Sequence, residues 1–223
     1  MNSGDSKCGD KKQVVGYWSI AVTRDSAKSF SQQPFNFTPE DKIMLLGMAR
    51  KTIEKYVKDR RIPDDHPADY PSSLKLLAGA FVTLKEEGSL RGCIGRFTSG
   101  IPLYKLVREM AIASATEDTR FEPVTSEEVR SLEIEISVLS PLTKITSPAE
   151  IILGKHGIYI KKGHSSGTFL PQVATDTGWD VESFLGHCAR DKAGIGWSGW
   201  KDAELYIYEA CVFSESDFSV RKD

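Results

Sequence analysis

The sequence predicts an α+β fold in which antiparallel hairpins are mixed with helices. Two observations carry this prediction. Strand-like segments are joined by short turns into hairpins at 79–97 and 157–171, and segments with helical spacing of apolar residues lie outside them. The strands and helices do not follow the regular βαβ order of a parallel sheet. Signals on either side of about residue 140 indicate two lobes.

The first helix is predicted to begin after Thr38, in the stretch FTPED. Threonine is a good N-cap, Pro39 suits the first helical position, and the two acidic residues that follow favour the positive end of the helix dipole. The helix is expected to run to about Lys58. Four apolar residues predict its inward face: Ile43, Leu46, Ile53 and Val57.

A hairpin and a second helix are predicted next. GAFVTL at 79–84 has the composition of a strand, KEEGS gives a turn, and LRGCIGRF at 90–97 returns antiparallel to it. A helix follows Pro102. Its inward apolar residues are predicted to be Leu103, Leu106, Val107 and Met110.

The second half of the chain predicts further strands and a third helix. LEIEISVL at 132–139 alternates apolar and polar residues, which is typical of a strand with one wet face. The residues expected to face water are Glu133, Glu135 and Ser137. The hairpin at 157–171 is followed by a helix capped by Asp180 and ended by Gly194, and a strand at 203–213 closes the pattern.

Composition narrows the class of protein. The 223 residues, 40% of them hydrophobic, suffice for one large domain or two small lobes, and the net charge of −2 lacks the basic excess of a nucleic-acid-binding protein. No apolar run approaches the roughly 20 residues of a membrane span. The four cysteines show no CxxC spacing. The sequence therefore predicts a cytoplasmic protein with reduced thiols, no metal site and no cofactor.

The segment SLRGCIGRF at 89–97 places Cys93 between two glycines of a predicted strand. Glycine inside a strand marks a bulge or the close approach of a backbone or ligand. Arg91 could lower the thiol pKa or hold an anion. We therefore take Cys93 as the candidate catalytic residue, with Arg91, Gly92 and Gly95 as candidate ligand-binding residues. A structural alternative stays open, since free cysteine is usually buried and glycines let a helix pack close.

Three further residues are candidates outside this strand. His164, in the turn KKGHSSG, is a weak candidate for the base that would activate the thiol. Arg120, in ATEDTRFEPV, could pair with an acid or with a ligand, and Gln172 could contact a polar ligand. Solvated turns are the alternative for the histidine and for the charged run around Arg120.

The hexapeptide LRGCIG resembles the hallmark of the AMMECR domain family, whose prokaryotic members are called AmmeMemoRadiSam system protein A. The resemblance extends through PLYKLVREMAIASATEDTRFEPVTSEEV, LEIEISVLSP and GTFLPQVATDTGWDVESFLGHCARDKAG. It covers about residues 38–213 and leaves a leader at 1–37 and a tail at 214–223. The leader has one apolar patch, VVGYWSIAV at 14–22, which could dock as a strand, cover a groove or belong to a mobile arm.

The resemblance implies an α+β fold of two subdomains separated by a cleft, with the hexapeptide near that cleft. It also implies two partners: a Memo-like protein, related to non-haem-iron dioxygenases, and a radical SAM enzyme. It implies no particular reaction.

Three functions are open on this basis. The first is an enzyme or enzyme subunit that uses Cys93 as a nucleophile, with Arg91 positioning an anionic substrate. The second is a non-catalytic binding or adaptor module for a small ligand, a peptide or a partner protein, in which Cys93 packs. The third is an RNA-associated protein, which the net negative charge of the chain makes the least favoured of the three. Its contacts would come from Arg91, Arg96, Lys105 and Arg108.

Overall fold

A computed structural model describes residues 36–64 and 66–218, which form two compact units. The smaller unit is Leu139–Ala210, and the larger unit comprises the described residues on either side of it. The apolar patch at 14–22 lies outside the described residues. Within the described ranges, no helix is long and apolar enough to cross a membrane.

The larger unit combines two helices with antiparallel strands, in agreement with the predicted α+β class. The helices are α1 (Pro39–Asp59) and α2 (Leu103–Thr116), and the strands are β1 (Gly79–Glu86), β2 (Ser89–Arg96) and β3 (Leu132–Leu139). The strand order is β2-β1-β3, and β7 (Glu204–Ser214) is the next strand in that order. The predicted hairpin of β1 and β2 is confirmed.

The start of α1 is as predicted, and Leu46 and Ile53 of its predicted inward face are buried. The Thr38 hydroxyl accepts a hydrogen bond from the backbone N–H of Asp41, and the Asp41 carboxylate accepts one from the N–H of Thr38. The core face contains Leu45 and Ala49, whereas Ile43 is 42% exposed. The prediction for Ile43 was wrong because, at about 100° per residue, it lies about 200° around the helix from Leu45.

The alternation predicted for β3 holds only in its first half. Glu133 and Glu135 are partly exposed, but Ser137 and the two residues after it are buried. The prediction that Ser137 faces water was wrong, because both faces of the strand are covered at this end. A polar–apolar alternation indicates a wet face only where nothing else packs on it.

A buried ion pair joins α1 to the residues that follow β7. Arg50 Nε donates to Glu215 Oε1 at 2.9 Å, and its other nitrogens donate to the carbonyl oxygens of Val129 and Leu132. The second oxygen of Glu215 accepts the backbone N–H of Ile134 at 2.9 Å. Both charges therefore have hydrogen-bond partners, as buried charges require.

The smaller unit consists of short strands and two short helices. They are β4 (Thr143–Ile145), β5 (His156–Lys162), β6 (Ser165–Phe169), α3 (Pro171–Thr177) and α4 (Val181–His187). Strands β4 and β5 both pair antiparallel with β7, and β6 pairs with β5 as the predicted hairpin. Asp180 caps α4, and the chain turns at Gly194 with φ of 67°, both as predicted. Helix α3 was not predicted.

We expect Glu215→Ala to lower the free energy of unfolding by about 3–5 kcal/mol, because it leaves the Arg50 guanidinium buried without its counter-charge. The measurement is urea unfolding followed by circular dichroism. The control is Glu204→Ala, which removes the exposed Lys144–Glu204 pair and should lower the free energy of unfolding far less than Glu215→Ala does, because solvent screens exposed charges. An equal decrease in the free energy of unfolding for the two variants would contradict the stabilising role of the buried Arg50–Glu215 pair.

Candidate functional site

Cys93 lies in β2, which is the terminal strand in the strand order of the larger unit. Cys93 faces Thr83 of β1, and the register shifts at the next residues: Leu84 pairs with Gly92, whereas Lys85 pairs with Leu90. The chain therefore has one extra residue in β2, a bulge of the kind that redirects side chains near the edge of a sheet.

The Cys93 thiol is buried and has a hydrogen-bond donor from its own sheet. The residue is 5% exposed, and the Thr83 hydroxyl donates to Sγ at 3.3 Å. Burial raises the pKa of the Cys93 thiol, and the opposing effects of the Thr83 hydroxyl and the Arg120 charge are smaller. The sequence-based hypothesis of a lowered pKa therefore finds no support in this environment.

A buried ion pair engages the backbone of Cys93. Asp118 Oδ2 accepts the Cys93 N–H at 2.8 Å, and Arg120 Nη2 donates to the Cys93 carbonyl oxygen at 3.3 Å. Within the pair, Arg120 Nε donates to Asp118 Oδ1 at 2.8 Å. The side chains of Asp118 and Arg120 are only 2% and 8% exposed. We call these two residues the edge clamp.

The protonation state of the edge clamp follows from the same contacts. Burial alone would raise the pKa of Asp118, but the hydrogen bonds from Arg120 and from the Cys93 N–H favour the carboxylate and lower it overall. Asp118 is therefore ionised at neutral pH, and it accepts charge-assisted hydrogen bonds from both groups.

The two glycines beside Cys93 are explained by packing inside the protein. A Cβ atom on Gly92 would lie 2.2 Å from the carbonyl oxygen of Ser114 in α2, and one on Gly95 would lie 2.2 Å from the ring of Phe81. The Ser114 hydroxyl also accepts the N–H of Ile94 at 2.9 Å and donates to the carbonyl of Val82 at 2.7 Å. Helix α2 therefore sits directly on the hairpin.

Arg91 has partners of its own. Its Nε donates to Glu128 Oε1 at 3.0 Å, and its guanidinium lies 5.9 Å from the ring centroid of Phe121. The hydrogen bond from Arg91, together with the backbone N–H of Thr125, lowers the pKa of Glu128 to about 2. This ion pair persists across the physiological pH range.

The remaining candidates lie in the smaller unit. His164 is exposed in the turn between β5 and β6, and Gln172 is partly buried in the first turn of α3. The larger unit thus brings Cys93, its glycines and Arg120 together, while the other two candidates belong to a different unit. Among the described residues, no group of three or more His, Cys, Asp or Glu side chains could hold a metal ion.

The sequence did not predict the contacts that Asp118 and Ser114 make with the Cys93 strand. Asp118 stands in an acidic run that resembles a solvated turn, and Ser114 is one small residue in an apolar helix. The available signal was the spacing Asp-x-Arg, which lets the two side chains pair across one turn. In the smaller unit, the ring of His187 in α4 stacks on Trp179, with 3.9 Å between the ring centroids.

The smaller unit contains a cavity of about 540 Å³ next to an unpaired polar group. Its lining includes Ile151, Leu185, Trp200 and Lys201. Within the described part of the chain, the buried indole Nε1–H of Trp200 has no hydrogen-bond acceptor. Concave, partly apolar cavities of this size are typical of small-ligand sites, so this cavity is a candidate binding site.

We expect Gly92→Ala to destabilise the protein by about 1–3 kcal/mol, the usual cost of forcing extra atoms into a packed interior. The physical reason is the contact between the new methyl group and the Ser114 carbonyl. Urea unfolding measures the change. Gly100→Ala is the control, because a Cβ there meets nothing within 4 Å. A stable Gly92→Ala protein would contradict this explanation of the glycine.

Known proteins resemble this chain over about three quarters of its length. The AMMECR1 family model matches residues 46–213. A protein of Methanosarcina acetivorans is 39% identical over 178 residues, which cover 76% of this chain and 89% of the relative. The crystal structure of the uncharacterized protein PH0010 from Pyrococcus horikoshii is 38% identical, with a TM-score of 0.70, and the match covers 77% of this chain and 89% of that one. The chain belongs to the AMMECR1 family.

Proposed function

We propose that this protein is a non-catalytic binding or adaptor module in which Cys93 is a structural residue. The observation that carries the proposal is the enclosure of Cys93: its thiol is buried and its backbone N–H and carbonyl are bonded to the edge clamp. A catalytic cysteine acts as a thiolate that reaches its substrate, and it is found in partly exposed, electropositive surroundings. Here burial raises the pKa of the thiol.

The groups that would hold an anionic substrate near Cys93 are engaged with the protein itself. Arg91 forms its ion pair with Glu128, and Arg120 forms its ion pair with Asp118. The space beside Gly92 is filled by the Ser114 carbonyl of α2. A substrate at this strand would have to displace protein groups from bonds they already make, at the cost of leaving buried charges unpaired.

An RNA-associated role has less support for a similar reason. The basic residues that suggested it do not present a patch of unpaired charge. Arg96 pairs with Glu109, and Arg91 pairs with Glu128. Arg108 is buried and donates to the carbonyl oxygen of Pro63. Nucleic-acid binding depends on basic side chains that face the phosphates.

Binding in this proposal takes place away from the Cys93 strand. The cavity lined by Leu185, Trp200, Lys201 and Glu182 combines apolar and charged side chains, which suits a small ligand or a peptide segment. The candidate partners are those that the sequence resemblance implied, a Memo-like protein and a radical SAM enzyme. The module would work in the cytoplasm, where the free thiols of Cys93, Cys188 and Cys211 stay reduced.

We expect Cys93 in the folded full chain to be alkylated by iodoacetamide at least about tenfold more slowly than Cys211, because only a thiolate in contact with solvent reacts at an appreciable rate. Cys211 is partly exposed and serves as the internal reference, while the fully buried Cys188 is the control for protection. Mass spectrometry of each cysteine peptide over a range of pH gives the rates.

A binding measurement tests whether the Cys93 thiol is needed for the proposed adaptor role. Cys93→Ala should bind a Memo-like protein with the affinity of the unchanged chain, measured by calorimetry. Rapid alkylation of Cys93 in the folded protein, with an apparent pKa below the ~8.5 of a free thiol, would favour the enzyme hypothesis instead.

A further inference from the structure

A histidine holds the turn that leads from the cavity of the smaller unit into β5. Ile151 is a buried residue of the cavity wall, and the chain then reverses direction over residues 152–156, ending at His156, the first residue of β5. Gly154 lies in this turn with φ of 78°, a left-handed conformation that glycine adopts without strain. The cavity wall and the turn are therefore consecutive in the chain.

His156 bonds both backbone groups of Ile152. The Ile152 N–H donates to His156 Nδ1 at 3.1 Å, and the backbone N–H of His156 donates to the Ile152 carbonyl oxygen at 2.8 Å. Because Nδ1 accepts a hydrogen bond, it carries no proton, and the proton of the neutral ring is on Nε2. We call Ile152 and His156 the His156 latch.

We propose that protonation of His156 opens the turn at 152–156 and thereby weakens binding in the cavity. This inference rests on the proposed function, since it concerns the regulation of the same cavity. An imidazolium ring donates from both nitrogens and accepts from neither, so a proton on Nδ1 would meet the Ile152 N–H and the hydrogen bond would be lost. His156 is 8% exposed, so water reaches the two unpaired donors only when the turn opens.

The direction of the pH effect follows from this geometry. The closed turn requires the neutral ring, whereas the open turn exposes the ring to water and accepts either form. An imidazole in water titrates at about pH 6.5, so a fall from pH 7.5 to pH 5.5 favours the open turn by about tenfold. The latch is closed above about pH 7 and opens as the pH falls.

The side chains of the turn give it little support once the hydrogen bond is lost. Ile152 and Leu153 are 55% and 36% exposed, and segments with few buried apolar contacts open at a low cost in free energy. Ile151 differs from them, because its side chain is buried and belongs to the cavity wall. It is joined directly to Ile152, so opening of the turn changes the wall as well.

Glu209 is the acidic side chain that faces His156. The two residues are opposite each other in the ladder of β5 and β7, so their side chains lie on the same face of the sheet. Glu209 forms an ion pair with Lys155 at 3.3 Å, and both side chains are about half exposed, so solvent screens their charges. Helix α3 also packs on β5, and its charged residue Asp176 is exposed. Glu150, before Ile151, is exposed and bonded within its own turn.

The first test is amide hydrogen exchange of Ile152 in the full chain, measured by NMR at pH 7.5 and pH 5.5. The quantity compared is the protection factor, which is the exchange rate of an unstructured peptide at that pH divided by the measured rate. We expect the protection factor of Ile152 to fall about tenfold at the lower pH, while amides in the middle of β5 keep theirs. An unchanged protection factor at Ile152 would overturn the proposal.

Asparagine at position 156 gives a matched control. In His156→Asn the side-chain carbonyl oxygen takes the place of Nδ1 as acceptor for the Ile152 N–H, but it does not titrate in this pH range. We expect equal protection of Ile152 at the two pH values in this variant. His164→Asn changes an exposed histidine and Glu209→Gln removes the acid that faces the ring, and both should keep the tenfold effect. A pH effect that persists in His156→Asn, or disappears in Glu209→Gln, would assign it to another group and overturn the proposal.

Two further measurements connect the latch to the cavity. The methyl signal of Ile151 in carbon–proton NMR spectra should shift between pH 7.5 and pH 5.5 in the unchanged chain and stay in place in His156→Asn. The affinity for a Memo-like protein, measured by calorimetry, should fall about tenfold over the same range in the unchanged chain. It should fall less in His156→Asn, which controls for titration of the partner itself.

The outcomes separate the latch from the proposed function. Binding with the same pH dependence in the unchanged chain and in His156→Asn would overturn the link between the latch and the cavity. The NMR measurements need no partner, so they decide whether His156 holds the turn in every case. Absence of binding at pH 7.5 in both chains would count against the proposed function alone.

Discussion

The larger unit depends on how the backbone of one residue, Cys93, is held at the edge of its sheet. A terminal strand exposes N–H and carbonyl groups on its outer side, and such an edge invites pairing with other chains. Asp118 and Arg120 bond these groups and bond each other, so the edge is covered by side chains rather than by another strand. The two residues follow α2 directly, and their position therefore fixes how α2 meets the hairpin.

This constraint accounts for the unusual composition of the strand without invoking a reaction. The glycine before Cys93 admits the Ser114 carbonyl, and the glycine after Ile94 admits the Phe81 ring. Cysteine is a small, weakly polar side chain that fits between the sheet and the covering residues, where Thr83 donates to its sulfur. Replacing Asp118 alone would leave the Arg120 guanidinium buried without a counter-charge, which is costly. The segment is closely packed, and this packing accounts for its two glycines and its cysteine.

Local signals in the sequence predicted most of the elements, but not the contacts between them. Thr38 and Asp180 are helix caps whose hydrogen bonds lie within three residues, so the sequence shows them directly. The burial of Asp118 depends on Cys93, 25 residues away in the chain, and an acidic run gives no sign of such a partner. Ile43 is apolar and was assigned to the core, yet its face of α1 is exposed. Short α3 has too few residues for a clear helical period.

The most direct test of the edge clamp is hydrogen exchange of the Cys93 amide, measured by NMR in the unchanged chain, in Asp118→Ala and in Glu117→Ala. Glu117 is the exposed neighbour of Asp118 and serves as the matched control. The account predicts that Asp118→Ala accelerates exchange at Cys93 by about tenfold or more, while amides in the middle of β1 keep their protection and Glu117→Ala changes neither. Unchanged protection of the Cys93 amide in Asp118→Ala would contradict the claim that the clamp holds this edge.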